Sequence, residues 1–215
     1  MGAGDVKVSR TYSSKVRAEG ARRTREAIVV AATELFLEHG YEGTSLTDIA
    51  ARAGVARPTV VAAFGTKPAL LSRVLDEAMA GDDEPVPVRD RPWFRPVWEA
   101  TSAVDVLRAY AHVGVVIGRR AAGVVEMVRR ASDSAPEVAD LWRSWLRGRH
   151  VGATMVVRHE AVVAALRPDL TPETAADVLW RLNDPDHYAS LVVERGWDET
   201  RFESWLADAM IRLLL

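Results

Sequence analysis

The chain has 215 residues, a net charge of −2 and 48% apolar side chains, enough to bury a core and too ordinary for a disordered or fibrous protein. It contains no cysteine, which excludes a disulfide framework, a thiolate metal site and a cysteine nucleophile. No apolar run reaches the ~18 residues that span a bilayer, and the polar stretch at 9–14 lacks the apolar core of a secretion signal, so the sequence reads as a cytoplasmic protein without membrane contact.

Charge is unevenly spread from the N-terminus onward. Lys7, Arg10, Lys15, Arg17, Arg22, Arg23 and Arg25 face only Asp5 and Glu19 in residues 1–25, whereas residues 80–215 carry 17 basic against 21 acidic side chains. A basic front on an acidic body points to a polyanionic partner at that end, and residues 1–21 read as a basic arm. The first apolar stripe follows at 22–38 with Ile28, Ala31, Ala32, Leu35 and Phe36, and stops at His39-Gly40. Ser45-Leu46-Thr47-Asp48 has capping-box spacing and opens a short helix that ends before Gly54. Arg57-Pro58 starts another, which stops near Phe64-Gly65, because proline is tolerated in a first turn. Thr66 then caps a helix through Met79, whose stripe is Leu70, Leu71, Val74, Leu75 and Ala78.

Residues 80–101 contain four prolines and an acidic run, and read as a linker or irregular connection. Beyond them the spacing predicts helices over 102–117, 119–131, 136–166, 172–183, 186–194 and 199–214. No strand-like alternation occurs, so the fold class is all-α, with four helices over 22–79, the first three of them a three-helix head, and a helical body at 102–215. Nothing in the body is catalytic in pattern, and we expect no enzyme, cofactor or metal site. His39, His112, His150, His159 and His187 form no metal-ligand spacing. Gly114 with Gly118, and Gly148 with Gly152, have the spacing of closely packed helices.

The order of residues around the two short helices is more specific than their length. Gly54 suits the positive φ of a tight joint, Val55 plugs it, and Ile49, Ala50, Ala53, Val60 and Phe64 form an internal face. The run from Thr44 to Thr59, followed by Phe64-Gly65-Thr66-Lys67-Pro68-Ala69-Leu70-Leu71, resembles the DNA-binding signature of the TetR family. The C-terminal run from Leu191 to Leu214, with Glu194-Arg195-Gly196-Trp197 and Trp205-Leu206, also looks like the end of such regulators. The resemblance implies a transcriptional repressor that binds a double-stranded DNA operator as a homodimer and responds to a small apolar or aromatic ligand. The helix at about 57–63 becomes the recognition helix. Arg57 is then the candidate for bidentate contact with guanine, while Thr47 and Thr59 reach bases or phosphate. Pro58 and Ala62 offer apolar surface to a thymine methyl, and Ala63 shares that face. Thr44 and Lys67 become phosphate candidates, and Arg22 and Arg23 with the arm track the DNA backbone. The family commonly has tyrosine where this chain has Val61, and histidine where it has Ala63. That thinner face favours the alternative of a ligand- or protein-binding helical module without specific DNA recognition.

In the body the resemblance places an effector pocket among the helices of 102–166. Trp98, Leu107, Tyr110, Met127, Trp142 and Trp145 are the lining candidates, with His112, Arg119 and His150 as polar groups. The last helix carries Phe202, Trp205, Leu206, Ala209, Met210, Leu213 and Leu214 on one stripe, and an earlier helix carries Ala175, Val178, Leu179 and Leu182. We therefore expect Val178, Leu179, Leu182, Phe202, Trp205, Leu206, Met210 and Leu213 to form a four-helix dimer interface.

Overall fold

In the computed structural model the backbone is described for residues 5–215 and the side chains for 17–215. Lys7, Arg10 and Lys15 therefore lie outside the described side chains. Eleven α-helices occur among the described residues, and no strand is present there. Contacts divide the chain into two compact units, one ending at Val74 and the other running Leu75–Leu215.

The first unit contains α1 (Asp5–His39), α2 (Leu46–Arg52), α3 (Arg57–Phe64) and the start of α4 (Lys67–Ala80). The stripe at 28–36 extends N-terminally into one long helix, α1, that includes residues 5–21 of the segment read as an arm. Ile28, Ala32 and Phe36 are fully buried with Ile49 of α2, Val60 of α3 and Leu70 and Leu71 of α4. Two short helices have too little apolar surface to fold alone, and the stripes of α1 and α4 supply the rest. Ser45 makes the expected capping box: its hydroxyl accepts from the Asp48 N–H at 3.1 Å, and its own N–H donates to the Asp48 carboxylate at 3.0 Å. That carboxylate is held below its usual range, chiefly by the Ser45 hydroxyl.

The second unit is built on α6 (Ala103–Ser132), one helix where the sequence predicts two. Around it pack α5 (Arg95–Glu99), α7 (Pro136–Val157), α8 (Glu160–Ala165), α10 (Pro185–Tyr188) and α11 (Glu199–Leu214), while α9 (Pro172–Leu182) packs on α7 and α11. Neighbours on many sides explain why α6 buries residues around most of its circumference, from Val106 and Leu107 to Val125 and Val128. Gly118 is a notch in that helix rather than its end: a Cβ there would lie 2.5 Å from the Tyr188 ring. The helix predicted over 136–166 breaks instead, because the His159 Nδ1 accepts from the Ala161 N–H and caps a new start. Residues 185–194 form α10 and then a π-helical stretch over Ala189–Glu194. The segment 80–101 is folded and not an open linker. It contains a 3₁₀ turn at Val88–Asp90 and α5, and buries Arg91, Phe94 and Val97. No helix among the described residues is long and apolar enough to cross a membrane.

Candidate nucleic-acid interface

The joint between α2 and α3 depends on Gly54, whose φ of +67° lets the chain reverse in three residues. The Val55 N–H reaches back to the Ala50 carbonyl at 3.0 Å, closing the end of α2 before α3 begins. α3 then points one face inward through Val60 and leaves Arg57, Pro58, Thr59, Val61, Ala62 and Ala63 exposed. Thr47 on α2 is exposed as well. Among the described residues Arg57 makes no hydrogen bond or ion pair, so all its guanidinium donors face solvent. An exposed guanidinium in the first turn of a short, rigidly mounted helix suits base-edge recognition.

Two residues expected at phosphates turn out to brace the head. Thr44 is 2% exposed, and its hydroxyl lies 3.0 Å from the Leu35 carbonyl and 2.8 Å from the Gly40 carbonyl. Both carbonyls lie at or just past the C-terminal end of α1, so the Thr44 side chain is turned inward and its assignment to phosphate is corrected. Lys67 donates through Nζ to the carbonyls of Tyr41 at 2.9 Å and Thr44 at 3.1 Å, and lies 4.0 Å over the Tyr41 ring. Two of its three N–H bonds are thus used internally, which leaves one for any phosphate. Arg22 and Arg23 are exposed on α1 and share Glu19 at 3.5 and 3.3 Å, pairs weak enough to exchange for phosphate.

Arg52 is a structural residue that sequence reading missed. It reaches Glu38 and Glu34 of α1 at 3.0 Å each and fastens α2 to that helix. Its signal was the pair of glutamates one turn apart on α1, legible only once α2 is known to lie across them. The Arg52 contact holds the Glu38 carboxyl below its usual range.

In the second unit the ligand candidates fall into separate groups. Trp98 stacks on Phe94 at 5.1 Å, and Phe94 meets the buried Tyr110 edge-on at 6.1 Å. Trp142 stacks on Trp145 at 4.9 Å along α7. Arg149 joins these groups: it lies 4.9 Å from Trp145 and 5.6 Å from Trp180, and donates to the carbonyls of Trp180 and Asn183 at 2.9 Å. Asn183 in turn bonds Tyr110, whose hydroxyl burial pushes its pKa upward. Leu107 is fully buried on α6 near this end. Met127 is not part of the group. Seventeen residues separate it from Tyr110 on one helix, about 25 Å at the α-helical rise, too far for one small-molecule site.

The polar groups suggested for that pocket are taken by carboxylates between helices. Arg119 binds Glu199 in bidentate fashion, His112 meets Glu203 at 3.0 Å, and His150 meets Asp177 at 2.8 Å. Tyr188 also donates to Glu199, at 2.6 Å. Arg119 and Tyr188 together pull the Glu199 carboxyl down to about 2. Burial, followed by that same carboxylate, pushes Tyr188 up to about 12.

The dimer assignment also changes. Leu179, Phe202, Leu206 and Met210 are at most 2% exposed within the single chain, so they are its core and cannot form an interface. They are buried because α9 and α11 pack against each other and α11 against α6. Val178, Leu182 and Trp205 remain partly exposed, and Leu213 is 46% exposed.

Comparison with known proteins places the head. Residues 28–74 match the sequence profile of the "Bacterial regulatory proteins, tetR family". A similar relative is the HTH-type transcriptional repressor Rv3405c of Mycobacterium tuberculosis (strain ATCC 25618 / H37Rv), 47% identical over 57 residues, 26% of this chain and 30% of that protein. The chain thus spans less than a third of that relative's length. At the level of fold, NalD of Pseudomonas aeruginosa, described as the secondary repressor of the MexAB-OprM multidrug efflux pump, superposes with a TM-score of 0.69 at 21% identity, covering 91% of this chain and 98% of that one. The transcriptional regulator FadR of Bacillus subtilis, solved in complex with stearoyl-CoA, gives 0.70 at 17% identity over 88% and 99%. Over residues 28–74 the capped helix-turn-helix is thus similar to that of the tetR family of bacterial regulatory proteins, and at the level of fold the chain resembles NalD and FadR.

Proposed function

We propose that this chain is a sequence-specific DNA-binding transcriptional regulator, a repressor that a small apolar or aromatic ligand releases from its operator. The observation that carries the reading is the exposed face of α3, with Arg57 unpaired among the described residues on a helix whose buried face is locked by Val60. Arg57, Thr59 and Thr47 read base edges, Pro58, Ala62 and Ala63 give apolar contact, and Arg22, Arg23 and one N–H of Lys67 meet phosphates. Val61, 38% exposed, leaves this face poorer in hydrogen-bonding groups, so more of the affinity comes from phosphate contacts.

Two copies pair through the partly exposed residues of α9 and α11, Val178, Leu182, Trp205 and Leu213, and set two recognition helices about one DNA turn apart. The effector binds beside the aromatic groups of the second unit, with Trp98, Leu107, Tyr110, Trp142 and Trp145 near it. A ligand that binds better to a state unable to span two half-sites shifts the population away from DNA. Support comes from the aromatic content of this region and from NalD and FadR, whose folds the chain shares.

The test is a salt series on DNA from upstream of the chain's own gene, run beside a scrambled duplex of equal length. Affinity for the upstream DNA should fall steeply with salt while a preference over the scrambled duplex persists. Equal binding to both duplexes at every salt concentration would refute the proposal.

A further inference from the structure

Just beyond the end of α4 the chain brings two arginines to one carboxylate. Arg91 is 4% exposed; its Nη1 donates to both oxygens of Asp82 at 2.7 Å, and its Nη2 to the Glu84 carbonyl at 2.9 Å. Arg120 of α6 is half-buried, donates through Nη2 to the Met79 carbonyl at 2.9 Å, and lies 4.9 Å from the Trp93 ring. The Nε–H of each arginine is buried and has no acceptor among the described residues. Asp82 is drawn below its usual range chiefly by Arg91, and Arg120 acts on it as well. Arg120 is pushed down chiefly by burial and then by the neighbouring Arg91 charge, and Asp82 opposes this.

The cluster therefore holds two buried N–H donors without an acceptor among the described residues, a deficit that protein interiors seldom leave unfilled. Gly81 packs directly against the Arg120 guanidinium. Its φ is +95°, and a Cβ at this position would stand 2.3 Å from Nη1 of Arg120, displacing the guanidinium.

We propose that this cluster binds an oxyanion, the carboxylate or phosphate group of a small molecule, which accepts from the Nε–H groups of Arg91 and Arg120. Arginine suits either group, since its planar donors match both geometries. Arg120 also holds the last turn of α4 through Met79, so the bound anion adjusts how firmly that turn is held. This consequence rests on the ligand-responsive reading given above; the binding itself does not.

Binding is read on the full chain without DNA, so its failure is distinct from failure of operator recognition. The thermal midpoint is followed while sodium acetate or sodium phosphate replaces sodium chloride at constant ionic strength. We expect a saturable rise with at least one of them, and an apparent affinity weakened about tenfold or more in Arg120→Met. A rise with acetate alone assigns a carboxylate, and with phosphate alone a phosphoryl group. The basic head attracts anions too, but it is unchanged in this variant, so its contribution cancels. No rise above chloride, or an equal rise in Arg120→Met, overturns the proposal. Should Arg120→Met fail to fold by circular dichroism, Arg120→Lys replaces it. Lysine keeps the charge without the Nε–H, so a weakened response supports the site and an unchanged one overturns it.

Discussion

Arg57 and Thr44 stand 13 positions apart in the head and serve opposite ends. Arg57 has nothing to hold inside the molecule, so its removal should spare folding and act on DNA. We expect Arg57→Ala to cost about 1–3 kcal/mol of preference for the operator over scrambled DNA, measured by competition binding, with far less change in nonspecific affinity. Equal losses on both duplexes would place Arg57 at phosphate. Thr44→Val keeps the shape but strips the hydroxyl from two carbonyls at the end of α1. A stability loss of about 1–2 kcal/mol in urea denaturation is expected, and an unchanged midpoint would show that those carbonyls find other partners. Thr44 was legible as a polar residue at a helix entrance; its inward direction was not, because the carbonyls it meets come from a different helix.

Glu199 supplies a pH-dependent contribution at the same scale. Its folded carboxyl titrates at about 2 against an ordinary 4.5, so the folded state favours the charged form. The stabilisation is present in full above pH 4.5 and is lost as pH falls from there toward 2. The site is partly solvated, which screens the effect. Glu199→Gln should therefore flatten the acid limb of the stability profile and lower stability modestly at neutral pH. An acid limb identical to the wild type would exclude Glu199 as its source.

At the scale of elements, two glycines of identical type have opposite consequences. Gly118 faces the Tyr188 ring with no space for a methyl group, whereas Gly148 on α7 has no heavy atom within 4 Å of a built Cβ. Gly118→Ala should destabilise by about 1–3 kcal/mol through overpacking of α6 on α10. Gly148→Ala should stabilise by roughly 0.5–1 kcal/mol, because alanine loses less backbone entropy in a helix. Thermal unfolding of the two variants checks both, and like signs would contradict the packing described. The spacing of Gly114 and Gly118 announced a close helix contact, which α6 makes with Tyr188, Asn183 and Leu206. It did not show that one helix runs through Gly118, since a glycine that ends a helix and one that admits a ring look the same locally. The same ambiguity hid the break at His159, a side-chain cap inside an unbroken apolar period.

For the whole molecule, the proposed pairing turns on which apolar stripes one copy leaves exposed. Leu213 projects from α11 with nearly half its surface exposed, while Leu206 and Met210 on the same helix are sealed inside. Leu213→Arg should shift the chain from dimer toward monomer in sedimentation equilibrium, with little change in helical content. A monomer already in the unmodified chain, or a dimer untouched by the substitution, would move the interface elsewhere. Loss of pairing should also reduce operator affinity, since one half-site offers half the contacts.

By itself the sequence determined the helical class, the capped α2, the Gly54 joint and the ordering Thr44 to Leu71 that marks the head, because capping, turn conformation and helical period act over a few neighbouring residues. Only the tertiary structure decided which stripe of α9 and α11 is core, that Lys67 and Thr44 brace the end of α1, and that Arg91 and Arg120 meet at Asp82. Those outcomes depend on partners distant along the chain, such as Tyr41 for Lys67, Arg120 for Asp82 and α6 for α11, brought close by packing that no local pattern encodes.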